Sequence, residues 1–575
     1  MNCGVCVETR VPRHRSVTVM ITPNHRFRNA AIAALAVTLP VAFLAPAGAS
    51  TTAPGTALHA AAVTPDPSAN LDLGARGLPE SRTVTTLAPG LTRTSITRGT
   101  PNQDFFWTAE IAVPSTSPDP DKPASALSTQ ARAQKVADKL NAAGVVARVE
   151  HVQSPQLADA GGDLGYRVRA GHFTAKADGA ATVAQVKAAG YKSSVIYTGW
   201  DGDENSSEND HGPWKLEILT IDPKEFRGDL TSSFGPNLED REKTSQLAAA
   251  SGALAATNGG YFVMDPAAGA PGDPAGAAVR DGKVLSEPVG DRPSLVIGAK
   301  NETSIQRLHW RGTVTAPGNT ATLALDGLNR VPGLIRNCGG TDDTPTNLPL
   351  HDFTCTDADE IVAFTPDFGD STPSGPGLEA VLDAHGTVTA VNNTRGTAVP
   401  AGGHTLQAIG TDVDKLAALA KPGSKLKVAT DLLDEGGKLL KTSATTDVVN
   451  GGPTLVQDGE LNVTAKRDGM VRTDDSNSFF YGWVHKRNPR TIAGVDAQGR
   501  TLLVTADGRQ TTSLGLSIKE AADVARSLGM VDAINLDGGG STTMVQGGQV
   551  VNSPSDATGE RPVGDALLIL AGRKG

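Results

Sequence analysis

The second half of the sequence is a succession of short β-type runs, and this pattern most limits the folds open to the chain. From residue 214 onward, apolar runs such as WKLEILTID, ATLALDGL, RTIAGVD and TLLVTADG are separated by Gly, Asp and Pro. Runs of this length and spacing are typical of strands joined by turns. Only two stretches have convincing helical periodicity, TSQLAAASGAL and SIKEAADVARSLG, the second opened by Ser517 and closed by Gly529. We therefore predict an α+β domain over residues 214–575, predominantly antiparallel sheet with few helices.

The first hundred residues have the composition of an export leader followed by a linker. Basic residues precede the apolar run 30–44, and the small residues 47–49 follow it as a cleavage site. The run is shorter than the roughly 20 residues that a membrane-spanning helix needs. We predict a signal peptide over 1–49, with Met20 as an alternative start, and a Thr-, Ala- and Pro-rich linker over 50–100. The mature protein is then secreted or associated with a bacterial cell wall, without a stable membrane span.

Charge and cysteine content narrow the functional classes. The net charge is −10 and no sustained Lys/Arg run occurs, which argues against a nucleic-acid partner. Cys3 and Cys6 lie within the predicted leader, so the mature chain keeps Cys338 and Cys355. In an exported protein this pair predicts a disulfide rather than a zinc site, because only His351 lies between the two cysteines as a further ligand.

A compact unit with the order βαββαβ is predicted over residues 101–202, which indicates a small ferredoxin-like domain. The stretch YRVRAGHFTAKADGAATVAQVKAAGYKSSVIY gives this unit a resemblance to the SPOR domain, since it has a strand ending in Gly-x-Phe, then a helix and a closing strand. The resemblance implies that the unit binds peptidoglycan. A spacer role for the same fold is the alternative. The acidic residues 203–213 are predicted to be a solvated linker.

Three glycine-rich turns follow apolar runs in the second half: ATNGGYF, VNGGPTLVQDG and INLDGGGSTTMV. Each alone is a hairpin signal, because Asn-Gly favours a tight turn. The third cannot be a phosphate loop of the Gly-Lys-Ser/Thr type, since no such sequence and no following helix are present. Consecutive backbone N–H groups in such a loop can nevertheless form an anion-binding nest.

These turns, together with NPRTIAGVDAQGRTLLVTADGR and in this order, resemble the phosphodiester glycosidase family over about residues 214–572. The resemblance implies hydrolysis of a sugar 1-phosphodiester, of the GlcNAc-1-phosphate type, at the anomeric C–O bond. The implied partner is a phosphorylated glycan of the cell envelope or an exopolysaccharide.

Asp537 is the predicted catalytic carboxylate, because a carboxylate beside the anomeric carbon stabilises an oxocarbenium-like transition state or activates water. Glu520 is a second catalytic candidate, although its position three residues after Ser517 favours a capping box. Arginine forks, loop N–H groups and hydroxyls are predicted to hold the phosphate. The predicted substrate-binding residues are Asn258, Gly259, Gly260, Tyr261, Asn450, Gly451, Gly452, Arg490, Asp507, Arg509, Asn535, Gly538, Gly539, Gly540, Ser541 and Thr542.

Two other functional classes stay open at this point. A metal-dependent phosphodiesterase would need clustered Asp and His ligands, whereas the Asp residues are scattered along the sequence and no His-x-His occurs. A non-catalytic wall-binding protein would not need an aspartate at the glycine loop. The sequence assigns no cofactor with certainty, and a divalent cation stays an open alternative. Likewise the sugar, the aglycone, the stereochemical outcome and the oligomeric state stay open.

Overall fold

The structure is a computed structural model, and it describes residues 70–115, 124–202, 209–336, 338, 342–346, 354–472 and 477–572. The predicted signal peptide and the first part of the predicted linker lie outside these ranges. Within the described ranges, no helix is both long and apolar enough to cross a bilayer.

Both helices predicted in the second half are present, and two more appear there. The α-helices are α1 (Gln130–Ala142), α2 (Ala180–Ala188), α3 (Thr244–Ser251), α4 (Asp412–Leu419), α5 (Ser478–Phe480) and α6 (Ile518–Ser527). Short 3-10 turns cover Lys176–Gly179, Thr198–Trp200, Pro266–Ala268, Ala299–Asn301 and Gly539–Ser541. The chain continues from α5 into a π-helical turn, Tyr481–His485, and we call residues 478–485 the aromatic helix.

The strands alternate with turns along the described chain. In the first half they are β1 (Glu80–Ala88), β2 (Leu91–Arg98), β3 (Trp107–Ile111), β4 (Ala147–Ser154), β5 (Gly162–Phe173), β6 (Ser193–Tyr197), β7 (Trp214–Ile221), β8 (Asp229–Ser233), β9 (Glu242–Lys243), β10 (Ala255–Asn258), β11 (Ala278–Arg280) and β12 (Lys283–Ser286). The next are β13 (Pro293–Ile297), β14 (Thr303–Thr315), β15 (Thr322–Ala324), β16 (Gly327–Leu328), β17 (Ile335–Arg336), β18 (Thr344–Pro345), β19 (Thr354–Thr356), β20 (Ile361–Phe364), β21 (Gly375–Leu382), β22 (Val388–Arg395), β23 (His404–Ala408) and β24 (Lys427–Asp434). The last are β25 (Asp447–Asn450), β26 (Thr454–Gln457), β27 (Glu460–Leu461), β28 (Arg490–Asp496), β29 (Thr501–Ala506), β30 (Met530–Asn535), β31 (Met544–Gln546), β32 (Gln549–Val550), β33 (Pro562–Val563) and β34 (Ala566–Leu570).

The sheets are mostly antiparallel, which confirms the predicted α+β class. The largest has the order β1-β2-β7-β29-β28-β30-β26-β27, and a second has the order β32-β31-β10-β34-β8. A third has the order β12-β11-β25-β13-β14-β15, with β24 also paired to β14. Among the strands that the structure describes, β16 and β20 form the parallel pair.

The N-terminal unit has the predicted element order, β3-α1-β4-β5-α2-β6, and its sheet has the order β4-β5-β3-β6. Alternate residues of β5 point to opposite faces of this sheet. Val168 and Ala170 lie in the core beneath the two helices. Arg167 and Arg169 point the other way and contact the aromatic helix.

The prediction of a linker over residues 50–100 is wrong for its second half. Strands β1 and β2 form a hairpin, and β2 pairs with β7 along its whole length, so the hairpin extends the largest sheet. Leu91 and Ile96 are buried by this pairing. Part of the predicted acidic linker is also fixed, since the carbonyl oxygens of Asp210 and His211 accept hydrogen bonds from the N–H groups of residues 75 and 100. The Thr-rich composition was typical of a linker, but β-branched residues also suit a strand at a sheet edge.

The predicted disulfide between Cys338 and Cys355 is present, with the two Cα atoms 5.3 Å apart.

Three different sheets meet over one apolar core. Ala255 of β10, Val449 of β25 and Ile534 of β30 all belong to it, together with residues of their neighbouring strands. Each of these three strands ends at an asparagine that opens a glycine-rich turn. Burial of a common core therefore places the three turns, far apart in sequence, at one edge of the molecule.

Candidate active site

The three glycine-rich turns are hydrogen-bonded to one another. The side-chain amide of Asn258 donates to the carbonyl oxygen of Asp537 over 2.8 Å. The hydroxyl of Tyr261 donates to the carbonyl oxygen of Gly452 over 2.6 Å and accepts from Asn535 Nδ2 over 2.8 Å. These bonds connect turns that lie up to about 280 residues apart, and they fix the backbone on both sides of Asp537.

The side chains of Asn258 and Asn450 hydrogen-bond to other groups of the protein and do not face the cavity. Asn450 accepts from the Tyr261 N–H through Oδ1 over 2.8 Å and donates to the Tyr261 carbonyl through Nδ2 over 3.1 Å. Asn258 Oδ1 accepts from Thr491 Oγ1 over 2.7 Å and from the Thr543 N–H over 3.1 Å. Because their amides are already paired, Asn258 and Asn450 position the turns.

The backbone of the second turn is likewise engaged. The Gly451 N–H donates to the Pro293 carbonyl over 3.0 Å, and the Gly452 N–H donates to the Asn535 carbonyl over 2.7 Å. Both N–H groups are therefore occupied by protein acceptors, and the bond from Gly452 holds the second turn against the third.

The first turn is built around a buried carboxyl group that the sequence analysis did not single out. Asp565 lies just before β34 and accepts from the Gly260 N–H over 2.7 Å, while its carbonyl oxygen accepts from the Gly259 N–H over 3.1 Å. Burial, with a smaller contribution from the nearby negative charge of Asp537, raises the pKa of Asp565 to about 7. A Cβ atom on Gly259 would lie 1.9 Å from the Asp565 carboxylate, so this glycine allows the close approach. The signal in the sequence was Gly-Asp immediately before an apolar strand.

The glycine triplet does not form the predicted anion nest. The Gly538 N–H donates to Asp537 Oδ1 over 2.9 Å, and the Gly539 N–H donates to the Pro489 carbonyl over 2.9 Å. Two of the three N–H groups are thus used within the protein, which leaves too few aligned donors for a nest.

The triplet instead gives room to two arginines. A Cβ atom on Gly540 would lie 2.2 Å from Arg561 Nη2. A Cβ atom on Gly539 would lie 3.3 Å from Arg509 Nη2, and the φ of Gly539 is +62°, a left-handed conformation that favours glycine. Gly539 and Gly540 therefore allow two guanidinium groups to approach the loop that carries Asp537.

Asp537 lies at the wall of a small cavity, two residues after β30. Burial raises the pKa of its carboxyl group, and the Ser541 hydroxyl, the Arg561 guanidinium and the Gly538 N–H group oppose the shift. Of the residues predicted from the sequence, Asp537, Tyr261 and Arg490 line this cavity. The other lining residues are Arg292, Arg336, Pro453, Met470, Phe479, Trp483 and Ile518.

Three arginines give the cavity an excess of positive charge. Arg490 donates to the carbonyl oxygens of Leu516 and Trp483 over 2.9 and 2.7 Å, and burial lowers its pKa to about 10. Arg292 lies over the ring of Tyr261 at 5.8 Å, and burial lowers its pKa to about 10 as well. Arg336 adds a third guanidinium. Charges in a low-dielectric site interact strongly, so a bound anion would be stabilised by all three.

The opposite wall is apolar and comes partly from the aromatic helix. The rings of Phe479 and Trp483 are 6.3 Å apart and both line the cavity. An aromatic wall that includes the polar N–H group of a tryptophan ring suits ligands that have both apolar faces and hydrogen-bonding groups. Sequence analysis missed this wall, because SFFYGWVH is too short and too rich in aromatic residues and glycine for a helical period to stand out.

Several predicted site residues lie away from the cavity. Glu520 forms the capping box with Ser517, and its carboxylate also accepts from Arg487 Nη2 over 2.5 Å. Asp507 Oδ1 accepts from the N–H of residue 553 over 2.8 Å. Ser541 and Thr542 are fully buried next to the glycine triplet and do not line the cavity, but the Ser541 hydroxyl is close enough to Asp537 to lower the pKa of its carboxyl group.

Arg509 lies near Asp537 but does not line the cavity. Its Nη2 donates to Asn488 Oδ1 over 2.9 Å, and its guanidinium lies behind the loop at Gly539. Burial lowers the pKa of Arg509. Arg509 therefore adds positive charge near Asp537 without lining the cavity wall.

Acidic and sulfur ligands are not grouped here as a metal site would need. In the part of the chain that the structure describes, no group of three or more His, Cys, Asp or Glu side chains is arranged to hold a metal ion.

Comparison with known proteins agrees with this geometry. Residues 377–570 match the family model described as phosphodiester glycosidase, and residues 124–197 match the SPOR domain. Over residues 377–570 the chain therefore resembles the phosphodiester glycosidase family, and the SPOR match lies on the N-terminal side of that region.

Individual relatives cover different parts of the chain. N-acetylglucosamine-1-phosphodiester alpha-N-acetylglucosaminidase of Mus musculus is 32% identical over 129 residues, which is 22% of this chain and 25% of the mouse protein. The chain thus matches about a quarter of the length of these curated relatives. A Burkholderia pseudomallei protein described as exported has a solved structure that is 35% identical, with a TM-score of 0.77 over 88% of this chain and 99% of that one. A Synechocystis protein, 17% identical, has a TM-score of 0.50 over 87% of this chain and 81% of its own and shares the fold.

Proposed function

We propose that this chain is a hydrolase that cleaves a sugar 1-phosphodiester between the anomeric carbon and the bridging oxygen. The observation that carries the proposal is the cavity in which the Asp537 carboxyl group faces three guanidinium groups and an aromatic wall. The carboxyl group suits the anomeric carbon, the guanidinium groups suit the phosphate, and the aromatic wall suits the sugar ring. The family match and the mouse relative's printed activity support the same reaction class.

In the proposed reaction the C1–O bond breaks and its electron pair leaves on the phosphomonoester. A water oxygen bonds to C1, and the water gives up one proton to solvent. The Asp537 carboxylate stabilises the positive charge that develops at C1 and the ring oxygen. Arg292, Arg336 and Arg490 neutralise the charge that builds up on the leaving phosphate. A phosphate group leaves without strong acid catalysis, so the proposal needs no general acid at the bridging oxygen.

The SPOR domain is proposed to hold the enzyme on peptidoglycan, outside the cytoplasm. The SPOR match supports a cell-wall partner, and the disulfide between Cys338 and Cys355 supports an oxidising compartment. The glycan acted on would then be a phosphorylated polymer of the envelope.

Hydrolysis of methyl GlcNAc-1-phosphodiester in 18O-labelled water tests the proposal. We expect the label in the released sugar, because the proposed cleavage breaks the C–O bond. Label in the phosphate would mean P–O cleavage, as a metal-dependent phosphodiesterase performs it, and would refute the proposal.

The variant Asp537→Asn keeps the size of the side chain and removes its charge. We expect its turnover to fall on the order of a hundredfold or more, with little change in melting temperature. The matched control is Asp458→Asn, since Asp458 is exposed in the turn between β26 and β27. An Asp537→Asn protein with near wild-type turnover would show that the carboxylate is structural.

A further inference from the structure

A second, open groove lies on the other side of the aromatic helix from the candidate active site. Its volume is about 460 Å³. The SPOR domain forms one side through Ile111, Ala112, Lys192 and Ser194, and the aromatic helix forms the other through Phe479 and Trp483. The groove therefore exists only where the two domains meet.

The two sides of this groove are fixed to each other by buried bonds. Tyr481 Oη donates to Glu110 Oε2 over 3.0 Å and accepts from Arg167 Nη1 over 3.1 Å. The Leu127 N–H donates to Ser478 Oγ over 3.0 Å. Burial raises the pKa of the Tyr481 hydroxyl, so it stays protonated and keeps donating at neutral pH. The SPOR domain thus sets where the aromatic helix stands.

The groove and the candidate active site adjoin each other and share two lining side chains. Phe479 and Trp483 line both spaces. The backbone of Trp483 is also tied to the active site, because its carbonyl oxygen accepts from Arg490 over 2.7 Å. A ligand that occupied both spaces would contact these two rings.

The lining of the groove suits an uncharged glycan. Ile111, Ala112 and the aromatic rings offer apolar surface against which the faces of sugar rings can pack. Ser194 is exposed in the lining and offers its hydroxyl group to a sugar hydroxyl. Glu110 of the lining forms ion pairs with Arg169 and Lys486, which leaves Lys192 as the exposed charged residue of the lining.

We propose that this groove binds the sugar residues adjoining the reacting sugar, so that the substrate is a glycan chain with a phosphodiester at its C1 end. The inference rests on the proposed function and narrows its substrate class. It gives the SPOR domain a direct part in substrate selection, as one wall of an extended cleft.

The test compares one short and one long substrate on the full chain. The short one is methyl GlcNAc-1-phosphodiester, and the long one is a GlcNAc tetrasaccharide with the same methyl phosphodiester at C1. The variant Ser194→Trp fills the groove from an exposed position on β6. The matched control is Gln185→Trp, at an exposed position of α2 outside the groove.

We expect wild type to have a higher kcat/KM for the long substrate. We expect Ser194→Trp to lose roughly tenfold or more of that value, which corresponds to about 1.4 kcal/mol of binding, and to keep its rate on the short one. Gln185→Trp should match wild type on both substrates.

The outcomes separate the two claims. If wild type hydrolyses both substrates and Ser194→Trp changes neither rate, or changes both equally, the groove does not select chains and the inference is overturned while the proposed function stands. If wild type hydrolyses neither substrate, the proposed function fails and the inference fails with it.

Discussion

Replacing Glu520 with glutamine tests whether this carboxylate has a structural role or a catalytic one. The Glu520 side chain is fully buried and accepts from Arg487 Nη2 over 2.5 Å and from Arg487 Nε over 3.0 Å. It also accepts from the Ser517 N–H over 2.9 Å, as the capping box requires. Glutamine has the same shape and can keep the bond to Ser517, so Glu520→Gln removes little besides the charge that faces Arg487.

The loss in the free energy of unfolding depends on the ion pairs that Arg487 retains. Removing one member of a buried ion pair costs about 3–5 kcal/mol, because the other charge is left buried without compensation. Arg487 still has Asp210 at 2.5 Å, so we expect the lower end of that range, about 3 kcal/mol. That is roughly a hundredfold in the equilibrium constant of unfolding. The Ser517→Ala variant removes only the cap and should cost about 1 kcal/mol.

Denaturant unfolding and turnover, both measured well below the melting temperature, check this expectation. Glu520→Gln should unfold at clearly lower denaturant concentration than Ser517→Ala, and both folded variants should turn over substrate at near the wild-type rate. The opposite pattern, wild-type stability with turnover reduced a hundredfold, would place Glu520 among the reacting groups and refute the structural interpretation.

Two further predictions concern the loop that carries Asp537 and the carboxyl group beneath it. Gly539→Val should lower both stability and turnover, because a β-branched residue is strained at φ +62° and its side chain would push against Arg509. Wild-type activity in this variant would contradict the interpretation that the loop is fixed. The pKa of Asp565 is raised in the folded state to about 7, so its stabilising contribution is complete below pH 4 and is lost as the pH rises towards 7. Asp565→Asn should remove this part of the pH dependence in thermal unfolding curves from pH 4 to 8, and identical wild-type and variant curves would show that the group titrates normally.

Local sequence patterns predicted the structural features that depend on residues close together in the chain. The βαββαβ order of the SPOR domain and helices α3 and α6 follow from periodicity and from end signals such as Ser517 and Gly529. The disulfide between Cys338 and Cys355 was predicted from an isolated cysteine pair in a chain with the pattern of an export leader. Glu520 was recognisable as a cap because its partner is three residues away.

Properties that depend on distant neighbours were not predictable in this way. The hairpin of β1 and β2 had the composition of a linker, and only pairing with β7 makes it part of a sheet. The N–H groups of Gly538 and Gly539 were candidate phosphate ligands until their acceptors were known. A local pattern specifies which backbone shape a segment can adopt, but not which group fills its hydrogen bonds.

The sequence by itself determined that three glycine-rich turns end three strands and that one of them carries Asp537. Tertiary structure decided that three sheets share a core, which brings those turns together and surrounds Asp537 with Arg292, Arg336 and Arg490. It also decided that a short aromatic helix, held by the SPOR domain, closes the cavity. The physical reason is that turn chemistry acts over a few residues, whereas burial of apolar surface and pairing of buried charges act between whatever segments the fold brings into contact.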